Sequence, residues 1–132
     1  MHNLAKDLTV TLQADRPGTL AMAIEAIAKA GINIDGYAEV EGVLHVLTKD
    51  STAARRALQA AGFLLRGEQQ VLVIDVEDRP GVAADIFRRI ADAGVNVNFT
   101  YVATNNRIVV AANNLQKVAE LLSKGSPTAA RR

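Results

Sequence analysis

The sequence predicts an α+β protein built from two βαββαβ modules in tandem, each an antiparallel sheet with its helices on one face. Three observations carry this. A block of twenty residues recurs after an interval of 63, each copy opens on a strand-like alternation, and each copy contains two stretches with the apolar spacing of a helix.

The repeat is explicit. With Asp15 aligned on Asp78, ten of the next twenty positions are identical. Asp15-Arg16-Pro17-Gly18 returns as Asp78-Arg79-Pro80-Gly81, and Ala30-Gly31-Ile32-Asn33-Ile34 returns as Ala93-Gly94-Val95-Asn96-Val97. In the first copy Leu8, Val10 and Leu12 alternate with Thr9, Thr11 and Gln13, the pattern of a half-buried strand. Pro-Gly then opens a helix whose Leu20, Ile24, Ile27 and Ala28 share one face, with Glu25 and Lys29 outside. Gly31 ends it as a left-handed cap. A strand over 32–40 turns at Glu41-Gly42 into a strand over 43–48. Ser51 or Thr52 is expected to cap a second helix, with Ala54, Ala57, Leu58 and Ala61 at i, i+3, i+4 and i+7. Gly62 stops that helix, and Phe63-Leu64-Leu65 reads as a short closing strand.

The second copy reads as strand 70–76, helix 81–93, strand 95–103, a turn at Asn105-Asn106 and strand 107–112. Its last helix places Leu115, Val118, Ala119 and Leu122 at the same spacings. No closing strand follows Lys124, so the expected division is a first module over 1–67, a second over 68–124 and a disordered tail over 125–132. The arrangement is the split-βαβ, ferredoxin-like one, in which right-handed crossovers put both helices on one sheet face. A module of about 60 residues is marginal alone, so the two are expected to pack together across the short linker 66–69. An uncovered second-module strand would leave unpaired N–H and C=O groups. Either Phe63–Leu65 or another chain could cover it, and a homodimer is expected.

Composition narrows the function. Net charge is +1, so no basic field is present to hold nucleic acid or an anionic membrane. Cysteine is absent, which removes disulfides, thiolate metal sites and cysteine nucleophiles and suits a reducing cytoplasm. The opening residues lack the apolar run of a signal peptide, and no apolar stretch approaches 18 residues. The sequence has no Gly-rich phosphate loop, no HExxH and no Gly-x-Ser-x-Gly, and nothing in it calls for a cofactor or metal. His45, in Val43-Leu44-His45-Val46-Leu47, reads as a strand residue satisfied by a neighbour. Asp75 is the one charge in the otherwise apolar strand 71–76, placed at its wet end or beside a ligand. Catalysis and RNA binding are both poorly supported.

The Asp-Arg-Pro-Gly turn is more informative. It sits between a strand and a helix, so Gly18, Thr19 and Leu20 present the unpaired amides of a helix N-terminus, which attract a carboxylate. Asp15 could accept from an ammonium group, and Asn33 could both donate and accept. The same reading gives Asp78, Gly81, Val82, Ala83 and Asn96 in the second copy. Taken singly, each turn is equally a plain cap and turn. Its repetition together with the Gly-x-Asn element favours a site.

Asp-Arg-Pro-Gly, a helix, then Ala-Gly-Ile-Asn-Ile resembles the ACT domain, the amino-acid-binding regulatory module of many metabolic enzymes. The resemblance spans about Asp7 to Leu122 and is closest to small free-standing proteins made of two ACT modules. It implies a non-enzymatic sensor that binds a free amino acid between paired modules and acts on another, unspecified protein. The loop after strand one of one module and strand two of its partner would hold the ligand. A serine-responsive subtype carries His two positions before the tetrapeptide and Asn in place of its Asp. This chain has Gln13 with Asp15 and Val76 with Asp78, and departs from it. The alternative is a module that only drives self-association and takes no ligand.

Overall fold

The structure, a computed structural model, describes residues 1–12 and 16–124. The expectations for Asp15 and for the tail 125–132 lie outside the described residues. Ten elements follow one another as β1 (His2–Thr11), α1 (Thr19–Lys29), β2 (Gly36–Val40), β3 (Val43–Leu47), α2 (Ser51–Ala60), β4 (Leu64–Asp75), α3 (Val82–Asp92), β5 (Val97–Ala103), β6 (Arg107–Ala112) and α4 (Leu115–Ser123). The order β-α-β-β-α therefore occurs twice.

The chain forms two compact units: Ala5–Gln70, and Met1–Leu4 with the chain from Val71 onward. In the first unit β3 lies between β1 and β2 and pairs antiparallel with both. Its core is one face of these strands, Leu8, Val10, Leu12, Leu44 and Val46, packed on Ala23 and Ile27 of α1 and Ala54 and Leu58 of α2. The alternation that identified the strand thus selects the helix-covered face. In the second unit β6 lies between β4 and β5, again antiparallel. Leu72, Ile74, Ile108 and Val110 pack on Val82, Ile86 and Ile90 of α3 and Val118 and Leu122 of α4.

Several boundaries differ from those the sequence predicts, for identifiable reasons. β1 begins at His2 rather than near Leu8, and Met1–Leu4 belong to the second unit, where the Met1 carbonyl accepts from the Asp75 amide (3.0 Å). The open edge of the second copy is therefore met by the start of the same chain. An unpaired edge no longer requires a second molecule. Leu64 and Leu65 instead begin β4, which starts in the first unit and continues into the second. Residues 66–69 are not a linker, because β4 runs without a break from Leu64 to Asp75. Met1 and Asp75 carry no local signal that they are neighbours.

The helix that Leu20, Ile24, Ile27 and Ala28 were expected to bury turns inward at Ala23 and Ile27. Leu20 is 36% exposed, and Ala28 is also exposed. Asp50, rather than Ser51 or Thr52, caps α2, its carboxylate accepting from the Ala53 amide (3.0 Å). Asn114 does the same for α4 at the Lys117 amide (3.1 Å). Ile32–Asp35 and Val95–Asn96 precede the strands they were expected to start. The Glu41-Gly42 turn is as read, with φ of 49° and 82°, the left-handed pair that a two-residue hairpin needs. His45 is also as read. It faces Thr9 across β1 and β3, and its Nδ1 lies 3.1 Å from an oxygen of the fully buried Asp7 that also accepts from the Thr9 hydroxyl (2.9 Å).

Among the described residues no helix is long and apolar enough to cross a membrane, and no group of His and acidic side chains could hold a metal ion.

Candidate ligand-binding site

The repeat holds at the level of backbone geometry. Gly18 and Gly81 precede α1 and α3 with φ of 92° and 90°, a conformation that suits glycine and strains any residue with a Cβ. Among the described residues, neither helix has a side chain bonded to its first amides. Asp78 is exposed and precedes the Gly81 cap by three residues, so it is not the cap of α3. The Thr19 hydroxyl donates to the Arg16 carbonyl (3.3 Å), which tightens the turn and leaves the helix amides unaddressed by this side chain. Of the predicted residues around the second turn, Val82 is 2% exposed and sits in the core, so only its backbone amide can serve a ligand. Ala83 is exposed. Leu20, its counterpart, is partly exposed as described.

Topology brings a different partner to each turn from the one the sequence indicated. β1 ends at the turn, α1 runs away from it, and β2 returns to it. The residue facing the turn is therefore the far end of β2, at the hairpin, rather than its beginning. In the first unit the Leu12 amide donates to the Gly42 carbonyl (2.7 Å), and in the second the Val76 amide donates to the Asn106 carbonyl (2.9 Å). A hollow of about 330 Å³ opens there in the first unit, lined by Arg16, Gly18, Thr19 and Leu20 on one side and Glu39, Glu41 and Gly42 on the other. The second unit has a smaller hollow of about 190 Å³ in the same place, lined among others by Asp78, Arg79, Ala83, Val102, Asn106 and Arg107.

Asn33 and Asn96 are held elsewhere. Each lies beyond the far end of an 11-residue helix, which at 1.5 Å per residue separates it from Gly18 or Gly81 by about 16 Å. Asn33 donates to the Asp35 carboxylate (3.1 Å). The Asn96 amide donates to the Asn113 side-chain oxygen and its carbonyl accepts from the Asn113 amide (both 3.1 Å), which fastens the entry of β5 to the end of β6. Within one unit neither asparagine can touch a ligand seated at the turn.

Glu39, Glu41, Arg16 and Arg107 were not among the site residues read from the sequence. The signal was nonetheless available, since a β-α-β-β order places the first turn and the β-hairpin at one end of any such unit. Their charges differ between units. The Glu39 carboxylate accepts from the Gly42 amide (2.7 Å), which uses one of its several acceptor positions. Glu77 is paired with Arg79. Arg107 folds over the hairpin onto the carbonyl (2.7 Å) and hydroxyl (3.0 Å) of Thr104.

Comparison with known proteins bears on the fold. A search of curated proteins returns no match. Among solved structures, protein BT0572 from Bacteroides thetaiotaomicron is similar, at 28% identity and a TM-score of 0.79 over 93% of this chain and 89% of that one. The regulatory subunit of aspartate kinase from Thermus thermophilus, in its ligand-free form, shares the fold at 19% identity and a TM-score of 0.67, covering 93% and 95% of the two chains. A structure of aspartokinase alpha and beta subunits shares it at 18% identity and 0.70, covering 94% and 91%. The ACT-domain family model matches residues 70–124, which span β4 to α4 and include the second Asp-Arg-Pro-Gly turn. Residues 70–124 thus match the ACT-domain family model, and the first unit repeats their element order.

Proposed function

We propose that this protein is a non-enzymatic regulatory sensor for a free amino acid, made of two tandem ACT modules of ferredoxin-like topology. The supporting observation is the pair of helix starts at Gly18 and Gly81, each without a side-chain cap among the described residues and each beside a hollow that also meets a β-hairpin. An α-amino acid needs a partner for each of its charges. The amides following Gly18 and Gly81 suit its carboxylate. Asp15 and Asp78, with Glu39 and Glu41 in the first unit, suit its ammonium. Asn33 and Asn96 join such a site only where a second copy of the module supplies them, and we accordingly propose a homodimer with ligand held between modules. The regulatory role draws on the likeness to the aspartate kinase regulatory subunit, and the partner we propose is a biosynthetic enzyme in the cytoplasm.

A thermal-shift screen of the common amino acids against the purified protein tests the reading. A ligand that binds only the folded state stabilises it by about 2.7 kcal/mol at about a hundred times its Kd, enough to raise Tm by several degrees. Asp15→Ala and Asp78→Ala, measured by calorimetry, separate a ligand group from a structural one. Loss of a charge-assisted bond weakens binding about tenfold or more, whereas loss of a cap lowers stability by about 1 kcal/mol and leaves affinity intact. No response to any amino acid would reduce the protein to a self-association module.

A further inference from the structure

The hollow of the second unit differs from that of the first in the side chains of its walls as well as in size. Val102 stands opposite Ile108 in the β5–β6 register, so it lies on the sheet face that carries the second core. Yet Val102 is 72% exposed, whereas Ile108 is 7% exposed. Val76, which packs against that core, and the exposed Ala83 at the start of α3 continue the aliphatic wall. The positions corresponding to Ala83 and Val102 in the first unit hold Leu20 and Glu39. A single apolar side chain in water is ordinary on a protein surface. One left in water inside a concave, mostly aliphatic hollow gains by being covered.

The charged groups around this wall balance. Glu77 and Arg79 form an ion pair, and Asp78 and Arg107 add one charge of each sign. Arg107 is turned onto the Thr104 carbonyl and hydroxyl. Among the described residues lining this hollow, a charged side chain therefore meets no net charge of opposite sign. The hairpin of the first unit instead presents two carboxylates, Glu39 and Glu41. A zwitterion whose remainder is hydrocarbon suits both the balanced charges and the aliphatic wall of the second.

We propose that the second-unit hollow takes an amino acid with an aliphatic side chain, laid against Val102, and that Val102 sets this preference. The inference rests on the amino-acid reading above and names the class of ligand for one of its two sites. The ammonium and carboxylate are common to every amino acid, so the choice among them falls to the wall. Each CH2 moved from water onto that wall tightens binding by up to about fourfold, the equivalent of about 0.8 kcal/mol. A hydroxyl placed on the wall works against this gain, because a polar group covered by hydrocarbon loses its water.

Titration of the ¹⁵N-labelled full chain with alanine, 2-aminobutyrate and norvaline, which add one CH2 at a time, tests the proposal. Saturable shifts are expected at amides of residues 76–84 and 102–108, with affinity rising by up to about fourfold at each step. Lysine and aspartate should bind there more weakly than norvaline. Val102→Thr keeps the branched shape at an exposed position and adds a hydroxyl. It should leave alanine binding unchanged and narrow the gap between alanine and norvaline. Equal affinity along the series, tighter binding of lysine or aspartate, or a gap that Val102→Thr does not narrow would overturn the proposal and leave the amino-acid reading standing. Shifts confined to the first unit would do the same. Absence of a saturable shift with every common amino acid would overturn both.

Discussion

At the hairpin end the first unit presents Glu39 and Glu41, and the second presents Val102 and Thr104 in the same register. The backbones beneath them correspond closely. α1 and α3 begin and end 63 residues apart, and Gly18 and Gly81 differ by 2° in φ. After the hairpin the offset becomes 64, because Thr104-Asn105-Asn106 makes a three-residue turn where Glu41-Gly42 makes a two-residue one. The second tip is closed by Arg107 on Thr104, and its hollow is the smaller. The two stretches keep the groups that set chain direction and differ at the rim. Two copies of one fold should therefore respond to ligands of different charge, with the first favouring extra positive charge.

The core offers the sharpest way to test how alike the units are. Ile86 and Ala23 are equivalent, and both are fully buried. Ile86→Ala should destabilise the second unit by about 2–5 kcal/mol, the cost of lost transfer and a cavity, and place its urea transition below that of the first. A single transition that merely shifts would show that the units unfold together.

The closing strands provide the second test. The first unit contains the start of β4, whereas the edge at Asp75, in the second, is met by Met1–Leu4. Deleting residues 1–4 removes ladder bonds worth about 0.5–1.5 kcal/mol each, on the order of 2–4 kcal/mol in all. Hydrogen exchange should then lose protection at 71–75 and retain it at 43–47.

A smaller effect is expected at the rim. Glu39→Gln should weaken binding of a cationic amino acid by the first unit about tenfold, the equivalent of roughly 1.5 kcal/mol for one charged hydrogen bond. Val102→Glu should confer some of that preference on the second, and calorimetry showing neither change would break the proposed difference between the units. The helix caps mark the lower limit. Asp50→Ala and Asn114→Ala each remove one bond to a helix amide. Each should lower stability by about 1 kcal/mol, equally in the two units, as read from Tm.

The sequence by itself determined the local alphabet of this protein. Leu8, Val10 and Leu12 marked a strand face, Gly31 and Gly94 marked helix ends with φ of 77° and 76°, and Glu41-Gly42 marked a hairpin, because each rests on the residue's own torsional or burial preference. The constant spacing of the two Asp-Arg-Pro-Gly turns also fixed where the candidate site begins. Tertiary structure alone decided what faces it. Asn33 is nearer to Gly18 in sequence than Glu39 is, yet the rigid length of α1 carries Asn33 away, and the return of β2 brings Glu39 back. Met1–Leu4 likewise reach Asp75 through a hydrogen bond that spans more than half the chain. Such contacts depend on strand direction and on which backbone edge remains unpaired, and neither is a property of any single stretch of residues.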